Sequence, residues 1–128
     1  MRLSHRVWLF VLAASSFTAT ARAADGDPVA GKAIFVLCAA CHTAGAGGAD
    51  LVGPNLHGIF GKTAGTNRKS FDYSRALKES SIVWDDATID TWIKNPVGLL
   101  PGTKMEYVGL TKKEKRANLI AYLKEATK

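Results

Sequence analysis

Cys38-Ala39-Ala40-Cys41-His42 is the segment of this 128-residue chain whose residue types and spacing point most directly to chemistry. Two thiols three positions apart reach the two vinyl groups on one edge of a porphyrin and form thioethers, and the next residue then lies under the iron. Cys38 and Cys41 are therefore candidate attachment points for one covalent haem c, with His42 the candidate proximal ligand of its iron. A thioredoxin-type dithiol needs a strand before the motif, whereas a capped helix precedes this one. A zinc site needs four ligands. Beyond the N-terminal leader only Cys38, Cys41, His42 and His57 are at hand, and adjacent Cys41 and His42 converge poorly on one ion. As a disulfide, the pair would close too small a loop to staple a domain of this size.

A second axial ligand has few sources. Outside the leader, Met105 is the sole methionine and His57 the sole other histidine. Met105 ends the run Pro101-Gly102-Thr103-Lys104-Met105, an irregular stretch that can bring a sulfur to iron. A lone methionine is ordinarily flexible core filler, but filler is seldom held in a Pro-Gly loop. His57, in Gly53-Pro54-Asn55-Leu56-His57-Gly58, reads as a surface or structural histidine. Methionine–histidine coordination raises the reduction potential. With both axial positions filled no site stays open for substrate, which points to outer-sphere electron transfer and away from an enzyme.

The elements that position these residues read as all-α. Asp27-Pro28 opens a helix, with Asp as N-cap and Pro in the first turn, running to about Cys38. Glycines at 45, 47, 48, 53, 58, 61 and 65 mark a long segment that wraps around something instead of building its own core. A short helix is expected near Ser74–Glu79. Asp85-Asp86 opens another, with Ile89, Trp92 and Ile93 on one face and Asn95-Pro96 ending it. Residues 97–110 read as irregular. Thr111-Lys112-Lys113-Glu114 is a capping-box pattern for a last helix to about Ala126 that buries Leu119, Tyr122 and Leu123. Short helices and glycine-rich loops bury little apolar surface, so a large cofactor is needed to complete the core.

At the N-terminus, Arg2, His5 and Arg6 precede an apolar run from Val7 to Phe17, and Ala21-Arg22-Ala23 has the small residues of a cleavage site. This is the layout of a signal peptide over residues 1–23, too short in its apolar run to span a bilayer. It implies export to a periplasm as a single domain over residues 24–128, without stable membrane insertion. Losing the leader removes three arginines and no acid, leaving 14 basic residues against 11 acidic and a net charge of +3. That balance lacks the concentrated basic face of a nucleic-acid binder.

Taken in order, Gly31-Lys-Ala-Ile-Phe35, Cys38-x-x-Cys-His42, Gly53-Pro-Asn-Leu-His-Gly58, Phe71-Asp-Tyr73, Trp84, Asn95-Pro96, Pro101-Gly-Thr-Lys-Met105 and Leu119-Ile-Ala-Tyr-Leu123 resemble class I cytochromes c, close to mitochondrial-type cytochrome c and its soluble bacterial relatives. The resemblance implies the cytochrome c fold: N- and C-terminal helices crossing, and long loops around one haem. It implies that Gly31 lets the helices cross closely, with Phe35 and Tyr122 packing there. The Pro54 carbonyl would accept from His42 Nδ1–H, Tyr73 and Trp84 would hydrogen-bond a haem propionate, and Thr103 would secure the Met105 side. It implies a soluble, monomeric carrier that shuttles single electrons between membrane complexes or soluble redox enzymes: respiratory or photosynthetic complexes, oxidases or dehydrogenases. Lys62, Leu77, Trp92 and Tyr107 depart from the usual arginine, asparagine, tyrosine and phenylalanine. Val97 and Gly98 replace lysines, so docking is expected through a more apolar patch of Ala39, Ala40, Leu51, Val52 and Val97. Lys32, Lys104, Lys112 and Lys113 form a thinner basic rim.

Overall fold

The computed structural model describes residues 25–128, and the expected leader over residues 1–23 lies outside them. Five helices follow one another: α1 Pro28–Ala39, α2 Arg75–Lys78, α3 Asp86–Lys94, α4 Pro96–Leu99 and α5 Lys113–Ala126. Among the described residues the extended pairing is one antiparallel bridge, Thr63 to Val83, so the fold is all-α. No helix in this range is long and apolar enough to cross a membrane.

α1 starts where Asp27 and Pro28 dictate. The Asp27 carboxylate accepts from the Val29 amide at 2.8 Å, which satisfies one of the orphan donors of the first turn. α1 buries Gly31 and Phe35 against α5. The approach is backbone to backbone: a Cβ on Gly26 would run into the Ala117 carbonyl, and one on Gly31 into the Asn118 carbonyl. The Asp27 amide donates to Asn118 Oδ1 at 2.8 Å. Above the crossing, the Phe35 and Tyr122 rings pack with centroids 5.2 Å apart. Gly31→Val is therefore expected to destabilise the holoprotein by about 3 kcal/mol, read as an earlier unfolding transition in denaturant, because neither backbone can yield without separating the helices.

α3 is held at its start by reciprocal bonds: the Thr88 amide donates to Asp85 Oδ1 at 2.7 Å, and the Asp85 amide donates to Thr88 Oγ1 at 2.8 Å. It buries Ile89, Trp92 and Ile93, and Trp92 meets Trp84 edge-on at 5.3 Å.

Two local expectations fail. Asn95-Pro96 ends α3 but also begins α4 inside the stretch expected to be irregular. Asn95 Oδ1 accepts from the Gly98 amide at 2.9 Å, and Pro96 fits the first turn because no partner is needed for its missing N–H. The Thr111 capping box does not form. α5 begins at Lys113, with Lys112 as N-cap and no side-chain cap bond. Instead, the buried guanidinium of Arg116 bonds the Leu110 and Thr111 carbonyls through Nη1 at 3.0 and 2.7 Å and Asp90 through Nε at 2.8 Å. That side chain fixes residues 110–111 and sets the helix start one residue later.

Candidate functional site

Between the helix crossing, α3 and the long loops lies a cavity of about 550 Å³, walled largely by apolar side chains including Leu56, Ile59, Leu77, Ile89, Leu119 and Leu123. Of the residues singled out in the sequence, Cys38, Cys41, His42, Pro54, Tyr73, Trp84 and Met105 all line it. Thr103 and His57 do not. His57 is half-buried elsewhere. Leu77, Trp92 and Tyr107 also stand on the wall, whereas Lys62 is exposed away from it.

The end of α1 delivers the thiols. The Cys41 and His42 amides both donate to the Cys38 carbonyl, at 3.0 and 2.9 Å, so the chain turns tightly there and both cysteines share the cavity. Neither cysteine is in a disulfide. Burial, and secondarily Cys41, pushes the Cys38 thiol up.

His42 Nδ1 lies 2.7 Å from the Pro54 carbonyl oxygen. A carbonyl can only accept, so Nδ1 carries a proton, and in the neutral ring the lone pair is on Nε2. Burial lowers the pKa of the ring, with the Pro54 bond acting the other way. Burial thus favours the neutral ring and the Pro54 bond its Nδ1–H tautomer, the state a metal ligand requires. Gly53 lies directly against the ring, where a Cβ would overlap it, and the Gly53 amide donates to the Cys41 carbonyl at 2.8 Å. Gly53→Ala is expected to displace the ring and break its bond to Pro54, seen as loss of the downfield Nδ1–H resonance of His42.

Asn55 is wholly buried and organises the loop beneath His42. Its Nδ2 donates to Thr43 Oγ1 and the Gly45 carbonyl, and its Oδ1 accepts from the His57 amide. Its amide donates to Asp50 Oδ1 at 2.8 Å, and Arg68 Nε donates to the same carboxylate at 3.0 Å. Arg68 in turn donates its amide to the Tyr73 hydroxyl oxygen at 3.1 Å, so one network joins the loop of His42 to that of Tyr73. Sequence reasoning gave Asp50 and Arg68 no role; their separation of 18 positions leaves no local signal. The Asn55 amide holds the Asp50 carboxyl below its ordinary value, opposed by burial and reinforced by Arg68 and Ser70. A depressed carboxyl contributes stability that is complete above its unfolded value and lost as pH falls through the folded one. Asp50→Asn is accordingly expected to lower stability by about 1 kcal/mol at neutral pH. The gap from wild type should close as pH drops below the carboxylate range, as followed by denaturant titration at a series of pH values.

On the Met105 segment, the Met105 amide donates to Thr103 Oγ1 at 3.2 Å. Lys104 Nζ donates to Asp72 Oδ2 at 2.7 Å and to the Asp72 carbonyl at 3.2 Å, while Lys78 holds Oδ1 at 3.0 Å. The two lysines, Lys104 first, lower the Asp72 pKa to about 2. This clamp holds the segment carrying Met105 against the loop at residue 72.

These residues fit haem c. The cavity lies within the roughly 300–1,000 Å³ of cofactor sites and is mostly apolar, as such sites are. It presents two thiols, a neutral imidazole with its lone pair unused, and a thioether.

Comparison with known proteins agrees. The family model for cytochrome c matches residues 28–127. The chain is 47% identical over 108 residues to cytochrome c of Chlamydomonas reinhardtii, covering 84% of this chain and 96% of that protein. It is 44% identical over 111 residues to cytochrome c2 of Rhodomicrobium vannielii, covering 87% of each. Among solved structures, cytochrome cH from Methylobacterium extorquens superimposes with a TM-score of 0.74 at 39% identity, over 78% of this chain and 99% of that one. A helical fold closed by crossing terminal helices around a thiol-bearing apolar cavity, and kinship at this level, lead to one assignment: the chain belongs to the cytochrome c family, as a class I electron carrier holding one haem c covalently.

Proposed function

We propose that this protein is a periplasmic carrier of single electrons, bonding haem c through Cys38 and Cys41 and its iron through His42 Nε2 and the Met105 sulfur. The observation that carries this reading is the 2.7 Å bond from His42 Nδ1 to the Pro54 carbonyl, which leaves Nε2 free to bind metal. When bound, the haem supplies a one-electron iron couple. The protein's own residues do the rest. Pro54 holds the His42 tautomer and orientation, and Thr103 and the Lys104–Asp72 clamp hold the Met105 segment. The apolar wall keeps out water and favours the less charged iron state. Tyr73 accepts from Arg68 through its hydroxyl oxygen and keeps its own proton for a propionate; Trp84, on the same wall, would serve the second bond. With His42 and Met105 both engaged, no coordination position stays open for substrate, which supports a carrier and not an enzyme.

The proposal includes a leader cleaved after Ala23, and a free monomer that meets respiratory or photosynthetic complexes, oxidases or dehydrogenases. The test is the holoprotein isolated from a periplasmic fraction. An oxidised spectrum with the weak far-red iron–sulfur charge-transfer band, and a mass that starts at Ala24, are the expected results. A spectrum without that band, or a chain still carrying its leader, overturns the corresponding part.

A further inference from the structure

The segment that carries Met105 is closed mainly on itself. After α4, the Thr103 amide donates to the Leu100 carbonyl at 3.2 Å. Gly102 makes the left-handed turn between them, with φ of 87°, which glycine adopts without steric cost. The Met105 amide then donates to Thr103 Oγ1 at 3.2 Å. Each of these bonds stays close to α4 in the chain. Among the described residues, the hydrogen bonds that tie 101–109 to a more distant part of the chain are those of Lys104 Nζ, to Asp72 Oδ2 at 2.7 Å and to the Asp72 carbonyl at 3.2 Å. Residues 101–105 are therefore a strap with one polar fastening, on the residue before the sulfur.

The other side of the fastening is held in place. Asp72 stands between Phe71 and Tyr73, whose rings meet edge-on with centroids 5.0 Å apart. Tyr73 is buried, and its hydroxyl oxygen accepts from the Arg68 amide. Lys78, at the end of α2, donates to Asp72 Oδ1 at 3.0 Å, which leaves Oδ2 to Lys104. The fastening itself lies in solvent, with the Asp72 and Lys104 side chains 79% and 61% exposed. An ion pair so placed is weak and screened by salt, so it opens while the rest of the fold stands.

We propose that Asp72 is a positioning residue for iron ligation, acting through Lys104: it sets how often the strap lifts and yields the coordination position of Met105 to a small external ligand. The proposal rests on the reading that Met105 ligates the iron. The other restraint on the strap is apolar contact of Met105 with the core, which is not directional. The Asp72–Lys104 pair supplies the direction. An iron whose sixth position opens binds small molecules, so Asp72 helps to keep this protein a carrier.

Ferric holoprotein mixed with imidazole in stopped flow tests this, with the far-red iron–sulfur band as the readout. At saturating imidazole, loss of the band is limited by lifting of the strap. Asp72→Asn and Lys104→Gln are each expected to raise that limiting rate about two- to fivefold, and the double variant no further than either alone. Added salt should raise the wild-type rate and leave that of Asp72→Asn unchanged. A limiting rate indifferent to both substitutions overturns the proposal. So do effects that multiply in the double variant, or equal salt dependence in wild type and Asp72→Asn. Failure of the ligation reading shows separately, as a wild-type oxidised spectrum without the iron–sulfur band.

Discussion

Met105→Ala is expected to abolish the far-red band of the oxidised holoprotein, lower its reduction potential by on the order of 0.2 V, and render the ferrous protein reactive with carbon monoxide. Met105 is the methionine that reaches the cavity, and among the described residues the other free histidine, His57, lies off that wall. Lys104, which also lines the cavity, has its amine tied to Asp72. The thioether favours the reduced iron, so its loss favours the oxidised state and lowers the potential. Cys38, Cys41 and the crossing of α1 with α5 are untouched, so the haem stays attached and the helical content holds. Redox potentiometry and the carbon-monoxide difference spectrum check the outcome. An unchanged potential and a ferrous protein inert to the gas would place the sixth ligand elsewhere.

Cys38→Ala/Cys41→Ala, prepared without haem, is expected to lose cooperative unfolding and near-UV dichroism. The reason lies in what surrounds the cavity. Phe35, Trp84, Ile89, Trp92, Ile93, Leu119 and Leu123 are core residues and wall residues at once. The cavity opens to solvent at Leu37 and Val52, so without a cofactor the wall side chains face water on one side and lose the apolar burial, about 25 cal/mol per Å², that would hold the loops, against the roughly 5–15 kcal/mol by which a whole domain is stable. The chain relieves the cost by collapsing or opening, and either way the specific packing is lost. A sharp denaturant transition with native-like near-UV signals would show that the loops are self-supporting.

The helices were legible in sequence because their start signals are local. Asp27-Pro28 and Asp85-Asp86 set α1 and α3 within a residue of where they stand. The Cys38–His42 pentad was legible as a candidate site because its chemistry depends on spacing alone, and Cys38, Cys41 and His42 do line one cavity. Errors came where a side chain reached beyond its own turn. Pro96 was read as a stop, but Asn95 converts it into the start of α4. Thr111 was read as a cap, but Arg116, five positions on, takes its carbonyl. The Asp50–Arg68 and Asp72–Lys104 links, across 18 and 32 positions, carry no pattern that a single sequence displays. They exist only once the loops are wrapped, and wrapping depends on the cavity they surround.

The crossing of α1 and α5 also bears on the order of events during maturation. Asp27 and Asn118 are bonded across 91 positions, and closing a loop of that length costs about 4 kcal/mol of chain entropy before any contact forms. Such long-range closure is slow. Leu119 and Leu123 on α5 share the cavity wall with Cys38 and Cys41. Once α5 is docked it stands beside the two thiols, and a porphyrin would have to enter a finished cavity to reach them. While the chain is open, the thiols are accessible, and an attached porphyrin offers α5 an apolar surface on which to settle. Slow closure would leave an interval in which the thioethers proposed for Cys38 and Cys41 form before the cavity is complete.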